Sequence, residues 1–267
     1  MIRGAVLGSP ISHSLSPTLH NGAFNFIGID GRYEAIDVPS GSLSRFFAEQ
    51  SENFDYLSLT MPLKEEAFLL DIDFDSLSTR IGSANTLYRR DGVWRGCSTD
   101  GSGFLAAVQG EGLTSFSQAL ILGAGGTARA IAGAVDGVIP SISVLGRTST
   151  RRDALSRCVT NSTFEYLTWS DDCDLAPFDL VINTTPAGAA DLLAENLNPI
   201  VDTLLFDVIY KPWPTVLAER WIDRSGRVIN GKELLLWQGL DQLDLVLDEP
   251  LDRSKLAPYL REILSRH

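Results

Sequence analysis

The 267-residue chain is 44% hydrophobic and 21% charged, carries a formal net charge of −12, and contains no low-complexity tract. That acidity argues against nucleic acid or an anionic membrane as partner, and the length suffices for one large or two medium domains. The N-terminal MIRGAVLGSP lacks the layout of a signal peptide and no run approaches the roughly 18 apolar residues of a membrane span, so a cytoplasmic protein with no membrane partner is expected.

In the first hundred residues, strand patterns fall at 3–7, 33–38, 56–60, 85–88 and 93–97, with helices starting near Pro17, Leu43 and Lys64. Pro17 follows Ser16 at a helix start, where its missing N–H costs nothing. The apolar strands predict a mostly parallel sheet covered on both faces. Gly101 and Gly103 punctuate the passage to a second block and are hinge candidates. That block reads as strands 119–122, 141–145, 180–183, 204–209 and 228–229, with a helix from about Thr127, the spacing of a doubly wound sheet. The tail from about Leu234 to His267 is helical in pattern and has no strand to pair, so a return across the domain junction is expected. The expected fold is therefore two α/β domains, residues 1–101 with 240–267 and residues 102–239, with a small-molecule cleft between them.

Cys97, Cys158 and Cys173 form no CxxC pair and have no histidine nearby, so neither a disulfide framework nor a metal site is expected. Cys97 reads as a small buried apolar residue.

The segment Ala119-Leu-Ile-Leu-Gly123-Ala124-Gly125-Gly126-Thr127-Ala128 runs from apolar strand through glycine turn to helix start. Gly123 permits the tight turn, Gly125 lets backbone N–H groups approach a pyrophosphate, and Ala128 allows close helix–strand packing. The next strand ends in Gly146-Arg147-Thr148 without the carboxylate that binds a ribose 2′-hydroxyl. Arg147 and Arg151 can instead give charge-assisted hydrogen bonds to a 2′-phosphate, and arginines at a helix start call for an anion. The cofactor read from these residues is NADP.

In the first block, Gly8-Ser-Pro-Ile-Ser-His-Ser14-Leu-Ser16-Pro17 carries alternating hydroxyls before a helix, a place for a carboxylate. Lys64 sits after Leu59-Thr60-Met-Pro62 at an expected helix start, where a cation opposes the dipole and needs another reason. GSPISHSLSP, LTMPLK, SANT, STDG, GAGGTAR, GRTSTR, NTTPAG, DVIYKPWPT and NGKELLLWQG occur in this order. Together they resemble the shikimate dehydrogenase family over essentially the whole chain. Tyr210-Lys-Pro-Trp-Pro-Thr215 and Trp237-Gln238 look especially like its actinobacterial members.

The resemblance implies an N-terminal substrate-binding domain and a Rossmann NADP-binding domain. It implies reversible reduction of 3-dehydroshikimate by NADPH to shikimate, in aromatic amino acid (chorismate) biosynthesis, by a monomer or homodimer. It implies Ser14 and Ser16 on the substrate carboxylate, Thr60, Asn85 and Gln238 on ring hydroxyls, Tyr210 close to the substrate, and Lys64 with Asp100 as catalytic pair. Chemically, Lys64 can protonate or hold the oxygen on which hydride delivery builds charge, and Asp100 can orient it. On the cofactor side it implies Gly123, Ala124, Gly125, Gly126 and Thr127 at the pyrophosphate, Arg147, Thr148 and Arg151 at the adenosine phosphate, and Asn183, Thr184 and Gly231 beside the cofactor.

Three positions depart from the family pattern: Ser58, Ser98 and Gly146 each stand where asparagine is usual. A quinate/shikimate dehydrogenase, an aminoshikimate dehydrogenase and a non-catalytic NADP-binding paralogue are the alternatives. Ser16 and the two arginines argue against the NAD-dependent quinate type, and the presence of both Lys64 and Asp100 against the paralogue. His13, His20, Trp213 and Trp237 read as structural residues.

Overall fold

The computed structural model describes every residue of the chain except Thr114. The chain divides into two units, Met1–Gly103 with Leu235–His267, and Phe104–Leu234.

The first unit contains β1 (Ile2–Gly8), α1 (Ser16–Ile27), β2 (Gly31–Asp37), α2 (Leu43–Gln50), β3 (Tyr56–Leu59), β4 (Asp73–Phe74), α3 (Ser76–Ile81), β5 (Thr86–Arg90) and β6 (Val93–Cys97). Its sheet runs in the order β2-β1-β3-β5-β6-β4. The sheet is mixed, where the sequence pattern predicted a mostly parallel one: β1 pairs in parallel with β2 and β3, but β5 is antiparallel to both β3 and β6. The cause is local. Asp91 and Gly92 between β5 and β6 both have positive φ, 54° and 77°, the geometry of a two-residue hairpin turn that forces neighbouring strands to run opposite ways.

Lys64 does not open an α-helix as expected. Turns lead from Met61 to Glu65 and only a short 3-10 helix, Glu66–Leu69, follows. The helix-dipole argument for its position therefore falls, and the reason for it lies in its partners. The hinge candidates Gly101 and Gly103 both lie in the first turn of α4 (Asp100–Gly110), and the division between the two units falls directly after Gly103. A Cβ on Gly103 would stand 2.6 Å from the Gln238 backbone nitrogen, so this glycine lets two helix backbones approach.

The second unit holds β7 (Gln118–Leu122), α5 (Gly126–Val135), β8 (Ser141–Gly146), α6 (Arg152–Ser156), β9 (Thr163–Thr168), β10 (Leu180–Asn183), β11 (Leu204–Asp207), α7 (Val216–Asp223) and β12 (Arg227–Asn230). Every pairing is parallel, in the order β12-β11-β10-β7-β8-β9. This is the doubly wound order in which direction switches between β7 and β10, the place where such sheets bind dinucleotides. The edge strand β9, Thr163-Phe-Glu-Tyr-Leu-Thr168, was missed in the sequence although its polar and apolar residues alternate.

The helical tail becomes α8 (Gly231–Val246) and α9 (Arg253–Ser265). From Leu235 onward it belongs to the first unit, where Gly239 meets Leu19 of α1 and Gly22 of α1 meets Ile263 of α9. Each unit has its own apolar core, one around Leu7, Leu57, Leu59 and Leu87, the other around Leu120, Val181, Leu205 and Trp221. Among the described residues no helix is long and apolar enough to cross a membrane.

Candidate active site

The topology of the first sheet gathers the polar segments at one end of its central strands. The parallel strands β1 and β3 both end there, releasing the Ser14/Ser16 loop and the Thr60–Lys64 turn. The antiparallel β5 begins there and β6 ends there, since Ser58 pairs with Thr86 and Thr86 with Cys97. Backbone bonds fasten these ends: Leu59 N–H to Asn85 O at 2.7 Å, Asn85 N–H to Cys97 O at 3.2 Å, and Ala84 N–H to Lys64 O at 3.0 Å. Loops at the carboxyl ends of strands are the usual ligand-bearing parts of open α/β sheets.

Lys64 Nζ donates to Asp100 Oδ2, and the two side chains are 15% and 5% exposed, so the pair is shielded without being sealed from a ligand. Asn85 is the hub around it. Its Nδ2 donates to Asp100 Oδ1 at 2.8 Å, Thr99 Oγ1 at 3.0 Å and Gln238 Oε1 at 3.2 Å. Its Oδ1 accepts from Thr99 N–H at 2.8 Å and Thr86 Oγ1 at 2.9 Å. Of the expected substrate-side residues, Ser14, Ser16, Thr60, Lys64, Asn85, Asp100 and Gln238 all fall in the first unit, whereas Tyr210 follows β11 in the second.

Several partners escaped the sequence reading. Gln242 donates to Thr86 Oγ1 at 2.9 Å and accepts from Ser58 Oγ at 2.8 Å, and Ser58 accepts from Tyr33 Oη at 2.5 Å. Ser58 is thus absorbed into a buried polar chain ending on Asn85. The one signal for Gln242 was its spacing, four residues after Gln238 on the same helix face. The Ser98 hydroxyl is buried and makes no hydrogen bond among the described residues.

Ser14 Oγ accepts from Ser16 N–H at 3.3 Å, and α1 has no side-chain cap and no acidic residue in its first turn. Its N–H groups and the two hydroxyls form a donor set suited to a carboxylate. His13 is exposed in this loop, whereas His20 is buried, bonds Tyr56 Oη through Nδ1 at 2.8 Å and stacks on Tyr33 at 4.0 Å. Burial pushes the His20 imidazole down to about 3, against the opposing influence of the Gln242 side chain.

In the second unit, Gly123 has φ +102° and a Cβ there would lie 2.8 Å from Thr184 Oγ1, so only glycine fits. Gly125 differs: a Cβ would meet nothing within 4 Å. It caps α5 without a side-chain bond, and the turn at this helix start is an open cradle. Arg151 Nη1 donates to Ala124 O at 3.2 Å, which brings a cation to this turn. An open glycine cradle at a ten-residue helix start, with a guanidinium beside it, fits a pyrophosphate and a further phosphate.

Arg147 and Thr148 are exposed just past β8. Asn183 is buried, its Nδ2 bonded to Asp207 Oδ1 at 3.1 Å and its Oδ1 accepting from Thr185 Oγ1 at 2.6 Å, so it shapes the loop that Thr184 begins. Burial holds the Asp207 carboxyl above the usual carboxylate range, against hydrogen bonds from Thr215, Ile209 and Asn183. Gly231 is demanded by packing, since a Cβ would stand 2.1 Å from Val208 O.

A cavity lined by Leu175, Leu197, Ile200, Val201 and Trp221 lies elsewhere in the second unit and includes none of the expected site residues. Among the described residues no cluster of histidine, cysteine and carboxylate side chains could hold a metal. Cys97 is buried and its thiol is pushed up to about 12, first by burial, which disfavours the reactive thiolate.

Residues 6–87 match the shikimate dehydrogenase substrate binding domain. Over 97% of its length the chain is 34% identical to shikimate dehydrogenase (NADP(+)) of Thermosynechococcus vestitus, covering 94% of that protein. The crystal structure of Mycobacterium tuberculosis shikimate dehydrogenase superposes with a TM-score of 0.86 at 30% identity, over 98% of this chain and all of that one (100%). That of shikimate 5-dehydrogenase from Thermus thermophilus, in complex with NADP(H) and shikimate, gives 0.83 at 30% identity with the same coverage, 98% and 100%.

Proposed function

Because the chain belongs to the shikimate dehydrogenase family, we propose that it catalyses the reversible NADP-dependent interconversion of 3-dehydroshikimate and shikimate. The observation that carries the reading is the connected set Lys64–Asp100–Asn85–Gln238 at one end of the central strands. It holds a cation for a substrate oxygen together with amide groups for ring hydroxyls.

NADPH, when bound, supplies the hydride for the ketone carbon. Lys64 Nζ donates a proton to the carbonyl oxygen as negative charge develops there, and takes it back in the oxidative direction. Asp100 Oδ2 aims the ammonium, and Asn85 Nδ2 holds Asp100 through Oδ1. Thr60, Asn85 and Gln238 bind ring hydroxyls, Ser14 and Ser16 bind the carboxylate, and Tyr210 lies close to the substrate. For the cofactor, Gly123, Ala124, Gly125, Gly126 and Thr127 cradle the pyrophosphate and Arg147, Thr148 and Arg151 take the 2′-phosphate. Asn183, Thr184 and Gly231 lie beside the cofactor. A cytoplasmic setting accords with three free cysteines.

The test is a four-way rate comparison of shikimate and quinate, each with NADP⁺ and NAD⁺. Shikimate with NADP⁺ is expected to be fastest. Faster turnover of quinate with NAD⁺ overturns both substrate and cofactor, and tight NADP⁺ binding without turnover of either acid overturns the enzymatic reading.

A further inference from the structure

The end of β8 contains a vacancy that another strand fills. A Cβ on Gly146 would stand 2.0 Å from Tyr166 Oη and 2.6 Å from its Cζ. Tyr166 lies on β9, whose Thr168 pairs with Gly146, so its ring leans over the very end of β8. Its hydroxyl donates to Thr148 O at 2.5 Å. The ring also lies near Arg151: burial pushes the phenol up, and the Arg151 charge acts against that. Arg151 in turn reaches Ala124 O of the glycine turn, and Thr148 Oγ1 lies 2.8 Å from Thr150 Oγ1. An otherwise exposed loop carrying Arg147, Thr148 and Arg151 is thereby strapped at its middle to β9 and at its end to the cofactor turn.

We propose that Tyr166 is a positioning residue for cofactor selectivity, replacing the side chain that Gly146 lacks and holding the 147–151 loop in the shape that grips a 2′-phosphate. The proposal rests on the NADP reading above and extends it to a strand that lies outside the cofactor motifs. The physical reason is pre-organisation. Flexible arginines lose side-chain and loop entropy on gripping a phosphate, and a loop already fixed by a main-chain hydrogen bond loses less. An unphosphorylated ribose does not engage these groups, so the strap acts on NADP(H) and not on NAD(H).

Calorimetric titration of the full chain with NADP⁺ and with NAD⁺ tests this. Tyr166→Phe keeps the ring and removes one hydrogen bond, so NADP⁺ affinity is expected to fall about three- to tenfold while NAD⁺ affinity stays within about twofold. Gly146→Ala, which expels the ring, is expected to give the same selective loss, with kcat at saturating NADP⁺ unchanged in both variants. Parallel weakening of the two cofactors, or no change in either, overturns the role of Tyr166. A wild-type chain that does not favour NADP⁺ over NAD⁺ overturns the underlying cofactor reading instead, a result visible before any variant is made.

Discussion

Asn85 Nδ2 sits 2.8 Å from Asp100 Oδ1, while the other carboxylate oxygen of Asp100 receives Lys64 Nζ. One amide thereby sets the orientation of the carboxylate that in turn sets the lysine. With Asn85 only 2% exposed and its Oδ1 occupied by Thr99 and Thr86, the amide has little freedom to rotate. The geometry of Lys64 is determined two hydrogen bonds away from it.

Lys64→Ala removes the group proposed to meet the developing charge. Steady-state kinetics should find kcat lowered by about two to four orders of magnitude, with the KM for shikimate little changed. Retention of near-normal kcat would remove Lys64 from the chemistry.

The two turn glycines should separate folding from binding. Gly125→Ala adds a methyl into open space at φ −82°, so thermal stability should hold while NADP⁺ affinity falls on the order of tenfold or more. Gly123→Ala must adopt φ +102° against Thr184 and should lower the melting temperature. Equal thermal effects of the two substitutions would contradict the open cradle.

Gly103→Ala forces a methyl into the Gln238 backbone. Overpacking of this kind costs about 1–3 kcal/mol, and because Gln238 is displaced the KM for shikimate should rise as well. Urea denaturation with kinetics on the same variant measures both, and a fully stable variant with unaltered KM would rule out the close helix contact.

Stability should depend on His20. Its folded pKa of about 3 lies below the ordinary imidazole value of 6.5, so between those values the unfolded chain binds a proton that the native chain does not. The stabilisation is complete above about pH 6.5 and is lost as pH falls toward 3, at up to about 1.4 kcal/mol per pH unit. Comparing unfolding free energies of wild type and His20→Gln between pH 7 and pH 5, about the upper half of that window, isolates this term. Parallel pH profiles would show that His20 titrates normally.

Much of this was legible in the sequence because it rests on local constraints. The Gly123–Gly126 turn follows an apolar strand and opens a helix, and Arg147 and Arg151 lie within a few residues of the next strand end. Lys64 was legible as unusual, though the reason first assigned to it, a helix start, does not exist. Asp91-Gly92 carried the signal for the hairpin that makes the first sheet mixed, and the alternation Thr163-Phe-Glu-Tyr-Leu-Thr168 carried one for the edge strand β9.

By itself the sequence determined where the chain must turn and singled out the candidate residues for the chemistry, because backbone sterics and residue type act over a few positions. Tertiary structure alone decided how those residues are held. Ser58 meets Gln242 across 184 positions, Asn85 meets Gln238 across 153, and Gly146 yields its side-chain space to Tyr166 on a neighbouring strand. Such pairings arise from strand order and helix packing, in which contact partners are set by the fold and leave no spacing rule along the chain.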